Sequence, residues 1–308
     1  MISKDYLVQV ELLLKILPIV NKFDCFALKG GTAINLFFRN MPRLSVDIDL
    51  VYLPIDNRAS TFININKSLE EMSAEISKVN GLKASLQFNK QKIGKILVSD
   101  SSAQIIIEPN YIIRGAVYNC VEKTLCPAAI DRFGYEYDMR IVSSADLFAG
   151  KICAALDRKH PRDLFDIKLL LEENGVDEEL INAAVVYLAC SKRPIHELLT
   201  ENYNFTEFDS AYNEKFTGMT EVEILPEDLK KVRLDLIKII LSSLNHAHKQ
   251  FLLSVTEGNL NWKLINIPNV ERFPGILWKI ENIKKLIAKN PDKYKQTVNS
   301  IKEVLEIK

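Results

Sequence analysis

In the first twenty residues, apolar positions recur three and four apart, with Gln9, Glu11 and Lys15 interrupting them, which predicts an amphipathic helix over residues 4–20. Residues 24–29 form a short, largely apolar run of strand length. Gly30 and Gly31 then make a tight connection into a helix with Thr32 at its start. Residues 46–53 alternate apolar and polar with period two, the strand signature; Asp47 and Asp49 share one face, and Val46, Ile48 and Leu50 turn to the core. Residues 58–80 read as helix. After Gly81, three strand-like segments follow at 82–88, 92–98 and 103–109, and 133–142 adds a further one.

The pattern changes near residue 142. Ser143 or Ser144 caps a helix through residue 158, and Pro161 opens a second that reaches about residue 173, where Asn174-Gly175 ends it. Pro226 opens a long helix to about residue 256 and Pro291 opens the last. The layout is an α+β domain over residues 1–142 followed by a helical domain over 143–308, with no internal repeat and no low-complexity tract.

Composition narrows the classes. The chain has 308 residues, and Lys plus Arg and Asp plus Glu each total 40, so no whole-protein basic field is present to attract nucleic acid; any such contact needs a local patch. The five cysteines are odd in number and form no Cys-x-x-Cys, with Cys153 and Cys190 set among apolar residues, which points to a reduced, cytoplasmic protein. The first helix is too polar for a signal peptide, and no apolar run spans a membrane.

The candidate chemistry sits between residues 29 and 49. Two carboxylates side by side on a strand repel each other, and persist cheaply when solvated or when they hold a cation. Mg²⁺ takes one or two carboxylates, waters and substrate phosphates. The plain alternative for Asp47 and Asp49 is a solvated edge strand. Lys29-Gly30-Gly31-Thr32 lies upstream, where glycines admit a phosphate close to the backbone and a helix start offers free N–H groups. Gly-Gly alone is more readily a tight turn. Glu108, ending the apolar run before Pro109, is the candidate third carboxylate of a metal site or the acceptor of a proton; a solvated strand end is its alternative.

These residues carry a resemblance. The stretch from Leu28 to Tyr52, with Gly30, Gly31, Thr32, Arg43, Ser45, Asp47 and Asp49, resembles the first motif of the AbiEii/AbiGii toxin family of nucleotidyltransferases, the toxin half of type IV toxin–antitoxin and abortive-infection systems. Lys151, Arg158, Arg162, Asp163 and Asp166 match its helical motif, and residues 273–286 more loosely resemble its closing segment. The resemblance implies a DNA polymerase β-like nucleotidyltransferase fold with a mixed sheet, Mg²⁺ bound by Asp47 and Asp49, and a nucleoside triphosphate as substrate. It further implies transfer to the 3′ end of tRNA, which blocks translation, and a cognate antitoxin that is a DNA-binding repressor.

Lys151 and Arg158 lie seven apart on one helix face across Ala154 and Ala155, a placement suited to triphosphate oxygens. With Lys29, Gly30, Gly31, Thr32, Arg43 and Ser45 they complete the expected nucleotide-binding set, and Asp166 joins Asp47, Asp49, Glu108 and Lys151 as a catalytic candidate. Arg162 and Asp166 are as readily a surface i,i+4 pair, Asp163 a cap, and His160 an exposed loop residue. RNA contact is expected at Lys83, Lys90, Lys92 and Lys95, at Lys279, Lys284, Lys285, Lys289, Lys293 and Lys295, and better at Arg39 and Arg43. His246 and His248 read as surface residues. Two competing readings remain: nucleotide transfer to a protein hydroxyl, and an inactive nucleotide- or RNA-binding protein.

Overall fold

The computed structural model describes residues 2–89, 92–158, 160–173, 175–201 and 205–307; Lys90 and Asn174 lie outside the described residues. The chain divides into two compact units, one of Met1–Ser143 with Phe216–Glu223, the other of Ser144–Lys215 with Ile224–Lys308.

The first unit opens with α1 (Lys4–Val20), whose buried Val10, Leu13, Leu14 and Leu17 follow the expected helical spacing. Strand β1 (Phe26–Lys29) leads into α2 (Gly30–Ala33), which widens into a π-helical turn over Ile34–Phe38. Then come β2 (Asp47–Tyr52), α3 (Arg58–Ser77), β3 (Lys83–Asn89), β4 (Lys92–Ser99), β5 (Gln104–Asn110), β6 (Val121–Thr124), α4 (Pro127–Phe133) and β7 (Asp138–Ile141). The strands form one mixed sheet in the order β3-β4-β5-β2-β1-β7-β6. β2 runs antiparallel to β1 and parallel to β5, at the centre. Ile48 and Leu50 are fully buried while Asp47 and Asp49 are half-buried, the alternation expected of a sheet with one covered face.

Two expectations change here. Gly30 and Gly31 are the first turn of the helix, not a connection preceding it, so Thr32 is its third residue. β6 and α4 were not expected: Val-Glu-Lys-Thr carries too little apolar alternation to read as a strand, and Pro127–Phe133 is too short to show a helical period.

The second unit is helical: α5 (Ser144–Asp157), α6 (Pro161–Glu173), α7 (Glu178–Cys190), α8 (Ile195–Leu198), α9 (Phe208–Lys215), α10 (Pro226–Ser243), α11 (His246–Glu257), α12 (Pro274–Lys289) and α13 (Pro291–Leu305). The long helix expected from Pro226 is broken after Ser243. Asn245 caps α11, its side chain accepting from the His248 N–H at 2.8 Å, and the His248 ring closes the box from the other side. His248 is therefore buried, with Nε2 at 2.9 Å from Asn182 Oδ1, and not a surface residue. Arg233 is fully buried and donates to the carbonyls of Thr200, Leu156 and Leu198, closing helix ends that lack intrahelical partners. Among the described residues no helix is long and apolar enough to cross a membrane.

Candidate active site

Sheet register builds the site. Lys29 at the end of β1 pairs with Asp49 on β2, and Asp49 pairs with Glu108 on β5. Cross-strand partners point to the same face, so Lys29, Asp49 and Glu108 form one row across the three central strands. Asp47 stands on the same face one pleat earlier, opposite Ile106.

The two glycines make room for this row. Gly30 has a positive φ of 76°, and a Cβ there would lie 3.0 Å from both Cβ and Cγ of Asp49 and collide with its Oδ2. A Cβ on Gly31 would stand 2.7 Å from Arg43 Nη2 and 2.8 Å from Ser45 Oγ. Only hydrogen fits where the helix start meets the acid and the Arg43–Ser45 loop. Thr32 is fully buried; its hydroxyl donates to the Asp47 carbonyl at 2.6 Å and lies 3.1 Å from Ser45 Oγ. Asn35 donates to the Gly31 carbonyl at 2.9 Å. The expected role of Thr32 as a phosphate donor is thus corrected: its proton fixes the start of β2. Arg43 is buried as well and donates to the Leu44 carbonyl at 2.8 Å, so its guanidinium packs against Gly31 and is not displayed to a phosphate or to RNA. Arg39 is also buried, which removes it from the candidate RNA surface.

Glu108 is exposed as a residue, yet partial desolvation of its carboxyl and the neighbouring Asp49 carboxylate raise its proton affinity, against the pull of Lys95. Lys95 was grouped in the sequence with a lysine patch; its proximity to this row has no sequence signal, because it depends on how β4 aligns with β5. Among the described residues, no three His, Cys, Asp or Glu side chains converge as a ready metal cage. Asp47, Asp49 and Glu108 stand as neighbours on adjacent strands of the sheet. The remaining donor chemistry still suits Mg²⁺: two partly exposed, hard carboxylates on one face.

The helical motif has different surroundings. Lys151 Nζ is 2.8 Å from Asp163 Oδ1 and 3.0 Å from Asp166 Oδ2, and all three side chains are at most 5% exposed. Arg158 Nε is 2.6 Å from Asp163 Oδ2. Burial alone would raise the Asp163 carboxyl, but Lys151 and Arg158 outweigh it and hold it well below the usual carboxylate range. The shared face of Lys151 and Arg158 is thus a neutralised ion cluster, and neither the open cationic face nor the Asp163 cap that were expected. His160 Nδ1 accepts from the Arg162 N–H at 3.3 Å, part-buried at the start of α6.

Of the expected RNA-contact lysines, Lys279 is buried, donating to the Ser191 and Arg193 carbonyls at 2.8 and 2.6 Å, where it closes the end of α7; burial pulls it down to about 8. Lys83, Lys284, Lys285, Lys289, Lys293 and Lys295 are exposed, and Lys92 lies 4.3 Å from the centre of the Tyr111 ring.

A central mixed sheet, a helix start made of glycine, and an acid pair pressed against it make up an α+β nucleotidyltransferase architecture followed by a helical region. MenT4, a nucleotidyltransferase toxin from Mycobacterium tuberculosis H37Rv, shares this fold: TM-score 0.63 at 13% sequence identity, covering 80% of this chain and 87% of that one. The family model described as nucleotidyl transferase AbiEii toxin, type IV TA system, matches residues 11–239, and the chain belongs to that family. No protein of curated function matches it by sequence. The protein is accordingly a toxin-type nucleotidyltransferase that uses a nucleoside triphosphate, from a family whose members act opposite an antitoxin.

Proposed function

We propose that the protein transfers a nucleoside monophosphate from a nucleoside triphosphate to the 3′ end of an RNA, tRNA foremost, and so blocks translation. The observation that carries this reading is the row Lys29–Asp49–Glu108 with Asp47 beside it, set against two glycines that leave space for nothing larger than hydrogen.

In this reading Asp47 and Asp49 hold Mg²⁺, which when bound draws charge off the phosphates and lowers the barrier to phosphoryl transfer. The Gly30 and Gly31 backbone, with Lys29, receives phosphate oxygens at the helix start, while the buried Ser45 stands against the Thr32 hydroxyl. Glu108, one strand from Asp49 and carrying a raised proton affinity, takes the proton of the attacking 3′ hydroxyl. That oxygen bonds to the α-phosphorus, the bond from the α-phosphorus to the bridging oxygen breaks, and pyrophosphate leaves. Lys151 gives its ammonium to Asp163 and Asp166 inside the helical unit, a buried ion cluster. Asp163 and Asp166 hold that lysine in place, and Arg158 pairs with Asp163. The cognate partner is an antitoxin that represses its own operon by binding DNA.

The test is incubation with each α-labelled triphosphate, Mg²⁺ and total RNA, followed by separation of RNA from protein. Label in a tRNA-sized band, absent with Asp49→Ala, supports the reading. Label in protein alone would reject the RNA acceptor.

A further inference from the structure

Phe216–Glu223 interrupts the helical half of the sequence, yet it packs into the first unit. Phe216 and Met219 are buried. Gly218, at φ 81°, turns the segment, and its carbonyl accepts from the Ser3 N–H at 2.9 Å at the entry to α1. Two further hydrogen bonds reach the irregular stretch between the π-helical turn and β2. The Leu44 N–H donates to the Met219 carbonyl at 2.7 Å, and the Thr220 hydroxyl donates to the Pro42 carbonyl at 2.9 Å while accepting from the Val222 N–H at 3.0 Å.

That stretch is also held by the Met41 N–H, which donates to the Asn35 carbonyl at 2.9 Å, and by the burial of Leu44. It contains neither helix nor strand, and Met41 holds a positive φ of 55°, a conformation disfavoured for a residue with a long side chain. It nevertheless carries Arg43 and Ser45, which press on Gly31, and it ends at Asp47, whose carbonyl takes the Thr32 proton. A chain of fixed contacts thus runs from the strap through Pro42 and Leu44 to the acid pair.

We propose that Met219 and Thr220 are positioning residues for the transfer reaction: the strap fixes the Pro42–Ser45 loop, and through it the place of Asp47 and Asp49 relative to the Gly30-Gly31 helix start. The proposal rests on the active-site reading above. A loop that drifts by an ångström moves the acids against the phosphate-binding backbone without emptying either.

Thr220→Val keeps the shape of the side chain and removes both of its hydrogen bonds; Thr220→Ser restores them. The full-length proteins are compared by hydrogen exchange over residues 42–47, by thermal melting, and by kcat and KM for whichever triphosphate is turned over on total RNA. Thr220→Val is expected to exchange faster at residues 42–47 and to lose about ten-fold in kcat with KM for the triphosphate within about two-fold. Thr220→Ser is expected to recover most of the kcat. Unchanged exchange and kcat in Thr220→Val would overturn the proposal. So would a loss of activity that tracks a lowered melting temperature with no local change in exchange. Asp49→Ala, run alongside, tests the active-site reading separately: if it stays active that reading fails, whereas the exchange result judges the strap on its own.

Discussion

Asp47 with Asp49 and Asp163 with Asp166 are two acidic pairs, each placed by secondary-structure spacing on one face, yet the fold treats them differently. In the helical unit the carboxylates are buried and carry their own cations, Lys151 from the middle of α5 and Arg158 from just past its end. In the sheet the acids sit half-buried in a row flanked by Lys29 and Glu108. A buried anion is tolerated when it is paired and hydrogen-bonded, so the helical pair had to bring its counter-charge within the fold. The sheet pair is only half-buried and keeps its contact with water. One cluster is closed within the fold; the other stays in reach of solvent.

The largest expected effect tests the open pair. Asp49→Ala should lower transfer by at least about a thousand-fold, with a melting temperature equal to or above that of the parent because a like-charge contact is gone. Retained transfer would break the contrast. Lys151→Ala should act in the opposite sense, on the fold: it leaves Asp163 and Asp166 buried beside one fewer cation, for a loss of about 3–5 kcal/mol in urea unfolding. An unchanged unfolding midpoint would show that the buried cluster needs no internal balance.

Acid sharpens the same point. Because the Asp163 carboxyl is depressed in the folded protein, its contribution to stability is present above the ordinary carboxylate value near pH 4 and is lost as pH falls through the folded value. Stability should decline below about pH 4, and Asp163→Asn should flatten that decline in a melting-temperature series against pH. Gly30→Ala should come next, combining a positive φ with a clash on Asp49, at about 1–3 kcal/mol of stability and a visible drop in transfer. The smallest change is Lys279→Met, about 1–2 kcal/mol from the lost closure of α7. Its affinity for RNA in a filter-binding assay should match the parent, since the ammonium faces carbonyls and not solvent.

Much of this was legible where local spacing decides the outcome. Period two placed Asp47 and Asp49 on one face, and the prolines at 161, 226 and 291 marked helix starts at the positions observed. What could not be read depended on alignment between distant segments. The pairing of Asp49 with Glu108 needs a strand register across sixty residues. Thr32 and Lys279 are polar residue types that a one-dimensional pattern assigns to ligand or solvent, and each instead meets a backbone carbonyl brought to it by the tertiary fold; Arg43 is buried against Gly31. The His248 box was visible as Asn245-x-x-His248, but a helical run of apolar residues on both sides masked the break.

The strap also imposes an order on manufacture. As the polypeptide leaves the ribosome, the strands bearing the acids are out once Ser143 has cleared, but Pro42 and Leu44 wait for partners some eighty residues behind. At about 5–20 residues per second that delay is roughly 4–16 s. A product abandoned before residue 216 would release every acidic residue of the sheet and lack the piece that seats their loop.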